Sequence, residues 1–370
     1  MLTEQLAPLF DRDAHNPSIR SIEANLPARA QPIDFCVPVN GYFPPASLIE
    51  ELCQELPNLI KFYPDYADVH QKNLAAVVDL PPENIVVANG STELITLLCL
   101  EHSGPLASCA PTFGRWTDLP RQQGSDLHLI IRKADEQFQL SAERIVSEVR
   151  QSGSRKLVLS NPNNPTGAAN SLDDIAWILK ELSDLDLIVI DESFIDFSGV
   201  SSAASLVINH PNSIVVKSLG KSLGWHGIRL GYAIANAESA SRLRNKVPYW
   251  NINGVAAFVL ERLPALQTEY RQSFRKAGDD RKFLFDQLQD VNGLTPYPSQ
   301  ANFVYVRLPD HIAGKPFRDE LLTRFGLLIR ECSNKLGSSE QYLRIAVHRQ
   351  QHTQRLAAAM AEIFGDYRNR

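Results

Sequence analysis

The sequence predicts an α/β fold, in which a mainly parallel sheet lies between helices and is followed by a smaller α+β domain. Three observations lead to this prediction. Short apolar segments alternate with helical segments from about residue 46, as in repeated strand–helix units. Polar and glycine-rich segments follow several apolar segments directly, where parallel sheets bind ligands. After about residue 245, a long helical stretch replaces the alternation.

The first half of the chain supplies most of the alternating units. Residues 1–45 are irregular and proline-rich, and we expect an arm that lies over another element. PASLIEELCQEL predicts a helix, and NIVVANGSTELITLLCLEH predicts a strand, a turn and a helix that begins at Ser91 or Thr92. Further strands are predicted in LASCAPTF, LHLIIRK and KLVLSNPNNPTG, and a helix in SAERIVSEVRQ.

The second half completes the sheet and adds the small domain. Ser171 is a good N-cap for the helix SLDDIAWILKEL, and DLIVIDES and SIVVKSLGK are strands. We expect one long helical stretch, GVAAFVLERLPALQTEYRQSFRKAGDDRKFLFDQL, followed by NFVYVRL, a helix near 315–325, LLIRECS, YLRIAV and a C-terminal helix. These patterns divide the chain into an arm or part of the small domain at 1–45, a large domain at 46–245 and a small domain at 246–370.

Composition excludes several classes of function. A chain of 370 residues with a net charge of −5 gives no reason to expect a nucleic-acid partner. No apolar run reaches the length of a membrane span, and the mixed, acidic N-terminus is unlike a signal peptide. The five cysteines are scattered, and no pair has the spacing of a metal site. We therefore expect a cytoplasmic protein with free thiols and no metal.

The segment SLGKSLGWHGIRLGY, residues 218–232, contains the most informative lysine of the chain. Lys221 follows a predicted buried strand in a glycine-rich turn, and Arg229 lies eight residues downstream. Taken alone, Lys221 could be a solvated loop lysine, and the glycines with Arg229 could form a phosphate-binding nest. A Walker-type phosphate loop is excluded, because its glycine–lysine pattern is absent from the sequence.

The joint occurrence of three further features decides between these alternatives. Asp191 ends the apolar strand LIVID, where a carboxylate is costly unless it has a partner. Asn164 lies in NPNNPTG, and Ser91 and Thr92 open a helix whose N-terminus can bind an anion. Pyridoxal 5'-phosphate requires a lysine for its Schiff base, a carboxylate for its ring nitrogen, donors for its ring oxygen and an anion site for its phosphate. The sequence therefore predicts this cofactor.

The same residues, in this order, resemble the fold-type I pyridoxal-phosphate enzymes, the class I/II aminotransferase superfamily. The resemblance covers essentially the whole chain and implies a large domain with a seven-stranded, mainly parallel sheet. It implies that Lys221 forms the Schiff base and moves a proton at Cα. It further implies that Asp191 pairs with the pyridinium and that Asn164 donates to the ring oxygen. The phosphate would be bound by Ser91, Thr92, Ser218 and Arg229, and Phe113 would stack on the ring, unless it is plain core.

Within this family, the sequence is similar to the branch that contains histidinol-phosphate aminotransferase and threonine-phosphate decarboxylase. FYPDY and VVANGSTELI fit both, PVNGYFPP favours the aminotransferase, and HNPSIR, SFIDF, PYWNIN and IRECSN favour the decarboxylase. The resemblance places Arg344 at the substrate α-carboxylate, rather than at a surface strand edge. It also places His15 and Arg330 at a substrate phosphate, and Asn40 and Tyr42 in the segment that lines the substrate.

Several departures from the family pattern affect the substrate pocket more than the cofactor site. Phe194 replaces a tyrosine that donates to the ring oxygen, and Gly220 replaces a serine or threonine beside the lysine. PVNGYF replaces NxNPxG, and His348 replaces an arginine or glycine. These changes favour a relative with its own substrate, and we expect an unphosphorylated amino acid, for example a cationic one, rather than a phosphorylated one.

Three functions follow from the resemblance. Transamination, for example of histidinol phosphate, ranks first because it is the commoner outcome on this scaffold. A lyase is the alternative: decarboxylation of a phosphothreonine-like acid, or elimination with cyclisation, as in closing hydroxyarginine to enduracididine. A regulatory role without catalysis ranks last, because no DNA-binding segment is present. The resemblance also implies a homodimer, in which Tyr63 of FYPDY reaches the partner's cofactor phosphate and the arm covers a substrate pocket.

Overall fold

The computed structural model describes residues 8–10, 17–26, 31–101 and 104–368. Its strands are β1 (Ile33–Asp34), β2 (Ile85–Ala88), β3 (Leu106–Ala110), β4 (Leu127–Ile131), β5 (Lys156–Ser160), β6 (Leu187–Asp191), β7 (Ser213–Ser218), β8 (Gly231–Ala235), β9 (Thr295–Tyr297), β10 (Phe303–Arg307), β11 (Leu327–Leu328), β12 (Arg330–Glu331) and β13 (Tyr342–Ala346).

The helices separate these strands along the chain. They are α1 (Ile19–Glu23), α2 (Ala46–Lys61), α3 (Ala67–Val78), α4 (Ser91–Glu101), α5 (Arg115–Gln122), α6 (Ala142–Gln151), α7 (Leu172–Glu181), α8 (Ala204–Val207), α9 (Leu219–Ser222), α10 (Ala237–Arg244), α11 (Gly254–Arg262), α12 (Gln267–Gln289), α13 (Gly314–Phe325) and α14 (Gln350–Arg368). Short 3₁₀ turns occupy Pro82–Asn84, Ile195–Phe197, His226–Ile228 and Leu263–Leu266.

A seven-stranded sheet forms the centre of the large domain, in the order β2-β8-β7-β6-β5-β3-β4. Every pair from β7 to β4 is parallel, whereas β8 runs antiparallel to both β2 and β7. Strands β3, β5 and β6 are buried along their whole length, as expected for a parallel sheet with helices on both faces. The predicted fold class and the mainly parallel sheet are therefore confirmed.

A second, antiparallel sheet in the order β12-β13-β10-β9 belongs to the C-terminal part of the chain. The N-terminal arm lies beside it: β1 and β11 form a separate two-stranded parallel sheet, and the N–H of Ala346 at the end of β13 donates to the carbonyl of Phe35 at 2.8 Å. The arm therefore packs on the small domain, and the predicted irregular stretch contains α1 and β1 as short regular elements.

The two largest hydrophobic clusters indicate how the elements divide. The large core includes Ile252, Phe258 and Leu263 and extends to Tyr270, all of which follow residue 245. The small core begins with Phe35 in the arm and continues at Leu284 in α12. This packing favours a boundary within α12, and the division at residue 245 stays a prediction.

The predicted helix starts are confirmed at two positions. Helix α4 begins at Ser91. At α7, Ser171 Oγ accepts from the N–H of Asp174 at 3.1 Å, and the Asp174 carboxylate accepts from the N–H of Ser171 at 2.9 Å. The long helical stretch after residue 253 is instead interrupted by a 3₁₀ turn at Leu263–Leu266, because Pro264 has no N–H for an α-helical hydrogen bond. In the described ranges, no helix combines the length and apolar character needed to cross a membrane.

Candidate active site

A cavity of about 620 Å³ lies at the carboxyl ends of the large sheet, beneath the arm and the small domain. Its charged lining residues are Asp34, Lys221, Arg229, Arg330, Lys335 and Arg344. Ser91, Thr92, Phe113, Asn164 and Ser218 line it as well, so most of the sequence-predicted residues share one cavity. Five cations against one carboxylate make this cavity a strongly positive environment.

Lys221 lies on α9, the single helical turn that follows β7. The N–H of Asn40 donates to the Lys221 carbonyl at 2.9 Å, and the Asn40 amide donates to the Ser222 carbonyl at 2.9 Å. Burial lowers the pKa of the Lys221 ammonium to about 8, an effect that Asp191 partly opposes. Its Nζ lies 4.2 Å from the centroid of the Phe194 ring. Lys221 is thus a lysine with a substantial neutral fraction near neutral pH, which a nucleophilic amine requires.

Asp191 is held by two donors at the end of β6. The indole Nε1 of Trp116 donates to Oδ2 at 2.7 Å, and the N–H of Ser193 donates to Oδ1 at 3.0 Å. The side chain is 5% exposed, so the carboxylate has a fixed orientation within the protein. Its oxygens can accept further hydrogen bonds, because each has more than one lone pair.

The N-terminus of α4 faces Arg229 across a space that only glycine permits. Gly90 has a φ of +75°, and a Cβ there would lie 2.6 Å from Nη2 of Arg229. A Cβ at Gly231 would lie 2.5 Å from the N–H nitrogen of Ser91. An anion would therefore bind at the first turn of this eleven-residue helix. Arg229 and the hydroxyl groups of Ser91 and Thr92 line the cavity at this point.

Asn164 and Arg344 are in direct contact. Nη1 of Arg344 donates to Oδ1 of Asn164 at 2.7 Å, and Nη2 donates to the carbonyl of Cys36 at 2.5 Å. Burial lowers the pKa of Arg344, and its buried Nε has no hydrogen-bond partner within the described part of the chain. A buried guanidinium requires a hydrogen-bond acceptor for each of its N–H groups. The Nε of Arg344 could therefore donate to an anionic ligand.

The loop between β12 and β13 closes the other side of the cavity. Nη2 of Arg330 donates to Oδ1 of Asn334 at 2.9 Å, and Nζ of Lys335 donates to the Thr112 carbonyl at 3.3 Å. Lys335 Nζ lies 5.9 Å from the Phe113 ring centroid, and Lys221 Nζ lies 6.0 Å from the same centroid. Both lysines therefore lie within about 6 Å of the Phe113 ring centroid.

Not all predicted site residues line this cavity. Asn40 supports the backbone of α9 instead, and Tyr42 donates to Asp280 at 2.6 Å while Arg349 lies 3.6 Å above its ring. Tyr63 is 79% exposed and stacks on Trp250 at 4.6 Å between ring centroids. His15 lies outside the described residues. The roles given to these residues stay predictions.

Sequence reasoning missed three residues that the fold brings to the site. Trp116 binds the Asp191 carboxylate, and Lys335 lines the cavity. His226 also lines it; burial and the nearby Lys221 charge lower the pKa of its imidazole to about 4, so the ring is neutral. The glycine-rich motif could have drawn attention to His226, whereas Trp116 and Lys335 reach the site only through tertiary packing.

The residues of the site match the groups that pyridoxal phosphate requires. The described residues supply an amine of lowered pKa, a fixed buried carboxylate, an orphaned guanidinium Nε and a glycine-lined helix N-terminus. Pyridoxal phosphate requires an amine, a carboxylate and a phosphate cradle of this kind. Among the described residues no cluster of His, Cys, Asp and Glu could hold a metal ion. The donor set therefore fits the organic cofactor.

Three relatives share sequence with this chain over most of its length. CMP-5'-(3-aminopropyl)phosphonate synthase of Streptomyces rubellomurinus is 33% identical over 90% of this chain, which spans only 53% of that protein. L-serine phosphate decarboxylase of Campylobacter jejuni is 28% identical over 95% of this chain and 93% of its own. The chloroplastic histidinol-phosphate aminotransferase of Nicotiana tabacum is 30% identical over 88% of this chain and 77% of its own.

Two solved structures have a similar fold. A decarboxylase from Sulfurospirillum multivorans has a TM-score of 0.89 at 27% identity and covers 98% of this chain and 95% of its own. Histidinol-phosphate aminotransferase from Sinorhizobium meliloti, in complex with pyridoxal-5'-phosphate, has a TM-score of 0.84 at 19% identity, with 97% of each chain covered. The second similarity concerns the fold alone.

The family model for aminotransferase class I and II matches residues 30–360. The match extends from the arm to the C-terminal helix, so it includes all three sheets of the described residues and every residue of the cavity after Ile19. The resemblance predicted from the motifs is confirmed, and the family implies pyridoxal phosphate as its cofactor. The chain therefore belongs to the aminotransferase class I and II family and is an enzyme of its pyridoxal-phosphate-dependent aminotransferase and decarboxylase type.

Proposed function

We propose that this enzyme binds pyridoxal phosphate through Lys221 and decarboxylates a phosphorylated amino acid. The observation that carries the proposal is the charge of the cavity, with five cationic side chains and one carboxylate in its lining. Arg229 and the N-terminus of α4 would bind the cofactor phosphate, and Arg344 would bind the substrate α-carboxylate. Two cations, Arg330 and Lys335, then remain for a second anionic group on the substrate.

The chemistry of the site follows from the residues around the cofactor position. When bound, pyridoxal phosphate supplies an electron sink for the bond that breaks at the substrate's Cα. Asp191 would hold a proton at the pyridine nitrogen, since a buried carboxylate with two fixed donors stabilises a nearby cation. Lys221 would attach the cofactor and then deliver a proton to Cα, a dual role that suits an amine with a pKa of about 8.

The charge of the cavity argues against the substrate expected from sequence alone. An unphosphorylated, cationic amino acid would place its side chain among Arg330, Lys335 and Arg344, with Asp34 as the single acidic lining residue. Like charges in a partly buried site repel, so a substrate with a phosphate is favoured over one with a basic group. The expectation of a cationic substrate is therefore replaced in this proposal.

Decarboxylation is preferred over transamination because the decarboxylase structure has a TM-score of 0.89 at 27% identity, against 0.84 at 19% for the aminotransferase structure. L-serine phosphate decarboxylase of Campylobacter jejuni and the Sulfurospirillum multivorans decarboxylase both support it. Transamination of histidinol phosphate is the second candidate, supported by the 30% identity to the Nicotiana tabacum enzyme. Both substrates carry a phosphate, so the charge of the cavity is compatible with either reaction.

Product analysis tests the proposal. The holoenzyme is incubated with O-phospho-L-serine, O-phospho-L-threonine or L-histidinol phosphate, each with and without 2-oxoglutarate, and carbon dioxide and amines are measured by mass spectrometry. We expect carbon dioxide from a phosphorylated amino acid without the keto acid, and little product from L-serine or L-threonine. Turnover that depends on 2-oxoglutarate would identify an aminotransferase instead.

An exposed aromatic patch supports a homodimer as part of this proposal. Tyr63, Tyr66, Tyr249 and Trp250 are 79%, 62%, 86% and 45% exposed, and Trp250 contacts the other three rings. A contiguous aromatic surface of this kind is typical of a protein interface. A second copy of the chain would cover it and place Tyr63 near the partner's cofactor phosphate.

A cytoplasmic location stays a prediction, based on the five free cysteines.

A further inference from the structure

Lys335 occupies an ordered turn that the sequence analysis did not single out. The N–H of Lys335 donates to the Cys332 carbonyl at 3.1 Å, and the Lys335 carbonyl accepts from Ser338 at 3.0 Å. At Gly337, a Cβ would lie 3.2 Å from the nitrogen of Pro111, so the turn packs closely on the loop after β3. This packing holds the lysine stem against the large domain and directs the side chain to the cavity rather than to bulk solvent.

The surroundings of Lys335 Nζ are poor in negative charge. Its hydrogen-bond acceptor is the neutral Thr112 carbonyl, at 3.3 Å. Within the described ranges, no carboxylate lies close enough to form an ion pair with it. Arg330 and Arg344 are neighbouring charges, and these two residues face each other across β12 and β13. A half-buried cation without an acidic partner, beside two guanidinium groups, forms a receptor for an anion.

We propose that Lys335 is a specificity-determining residue, which binds the second anionic group of the substrate together with Arg330. The inference rests on the proposed function and assigns selectivity for phosphorylated over unphosphorylated amino acids to a named side chain. Lys335 belongs to the turn between β12 and β13 and its Nζ is held by the Thr112 carbonyl, whereas Lys221 follows β7, so Lys335 would contact the substrate side chain rather than the reacting Cα. Its loss should therefore weaken substrate binding and leave cofactor attachment intact.

The protonation of Lys335 gives the inference a second readout. Burial and the adjacent Arg330 lower the pKa of its ammonium to about 7, with Arg344 acting in the same direction and Cys332 and Asp118 opposing it. Because only the protonated amine attracts an anion, affinity for the phosphorylated substrate should fall as pH rises through about 7. An arginine at this position stays charged and should remove that pH dependence.

Binding measurements with matched variants test the inference. Isothermal titration calorimetry and steady-state kinetics compare the wild-type holoenzyme with Lys335→Met, Lys335→Gln, Lys335→Arg and the exposed control Lys133→Met. The probes are O-phospho-L-serine, L-serine and inorganic phosphate. We expect both neutral variants to weaken binding of O-phospho-L-serine and phosphate by about 10- to 100-fold, the loss of one charge-assisted contact. L-serine binding should not change, and Lys133→Met should bind all three probes like the wild type. Above pH 7, where the wild-type Lys335 loses its charge, Lys335→Arg should bind phosphate and O-phospho-L-serine more tightly than the wild type.

The possible failures are distinguishable. If the wild type shows no preference for O-phospho-L-serine over L-serine, the proposed function itself is wrong. If the wild type prefers the phosphorylated substrate and the neutral variants retain that preference, only the role of Lys335 is wrong. An equal loss of binding for phosphorylated and unphosphorylated probes would also contradict it, because that result indicates a structural role.

Discussion

The indole of Trp116 donates a hydrogen bond of 2.7 Å to the carboxylate of Asp191, the residue expected to pair with the cofactor's ring nitrogen. Trp116 is 1% exposed and lies on α5, so the donor is itself fixed by packing. The N–H of Ser193 holds the other carboxylate oxygen at 3.0 Å. The orientation of Asp191 is therefore determined by its neighbours before any ligand binds, as is typical of a preorganised site.

Replacing Trp116 by phenylalanine should separate positioning from chemistry. Trp116→Phe keeps an aromatic ring but removes one charge-assisted hydrogen bond, so we expect kcat to fall by about tenfold with cofactor occupancy retained. Asp191→Asn should reduce kcat by roughly 100-fold or more, because an amide cannot stabilise a protonated ring nitrogen. Trp177→Phe, which alters a partly buried tryptophan packed on the large core, is the control. Unchanged turnover in Trp116→Phe would show that the hydrogen bond has no functional role.

The anion cradle at the start of α4 depends on the absence of a side chain at Gly90. Gly90→Ala would place a Cβ 2.6 Å from Arg229 Nη2 and would also strain a backbone with φ of +75°. Gly124→Ala is a matched control, because its φ is +71° and no atom lies within 4 Å of the added Cβ. Both variants should lose about 1 kcal/mol of stability from backbone strain. Only Gly90→Ala should weaken retention of the cofactor during dialysis; equal retention would contradict a phosphate site here.

Cofactor attachment should depend on pH through Lys221. Burial lowers the pKa of its ammonium from 10.5 to about 8, and only the neutral amine reacts with an aldehyde. The rate of reconstitution of the apoenzyme should therefore rise with pH and level off above about 8, instead of continuing to rise towards 10.5. Because Asp191 opposes the lowering, Asp191→Asn should move the midpoint to lower pH. A stopped-flow absorbance measurement that finds a midpoint near 10 would contradict the burial of this amine.

The sequence predicted the site residues at the ends of strands, but not the residues that contact them from other parts of the chain. Lys221, Asp191, Asn164 and Arg229 stand in recognisable local motifs. Residues at the ends of parallel strands meet at one sheet edge by topology alone, and this brings Asn164, Asp191 and Lys221 together. Trp116 and Lys335 carry no such signal, since their contacts join segments far apart in the chain.

The differences in the fold have local causes. Strand β8, the antiparallel member of the large sheet, was not predicted, because GYAIA follows the glycine-rich motif and only the four-residue helix α9 and a 3₁₀ turn separate it from β7. The long helix was predicted without its interruption, although Pro264 marks the 3₁₀ turn. The packing of residues 252–270 on the large core depends on tertiary contacts that periodicity alone does not reveal.

Tyr63 should affect cofactor retention through the partner subunit. Tyr63→Phe removes only a hydroxyl from a ring that is 79% exposed in the single chain, so folding and dimerisation should be unchanged. If the hydroxyl reaches the partner's cofactor phosphate, cofactor affinity should fall by about 10-fold, as for the loss of one hydrogen bond to a charged group. Tyr66→Phe, on the same patch and 62% exposed, is the control. Sedimentation that finds a fully active monomer would contradict a shared site.

The most direct test of the account is to locate the cofactor on the chain. The holoenzyme is treated with borohydride, which makes the link between an amine and the cofactor irreversible, and is then digested and analysed by tandem mass spectrometry. The account predicts that the cofactor mass is found on Lys221, that turnover is lost in parallel, and that Lys221→Ala shows neither the modification nor the activity. Cofactor mass on another lysine, or full activity of Lys221→Ala, would contradict the assignment of Lys221 as the catalytic amine.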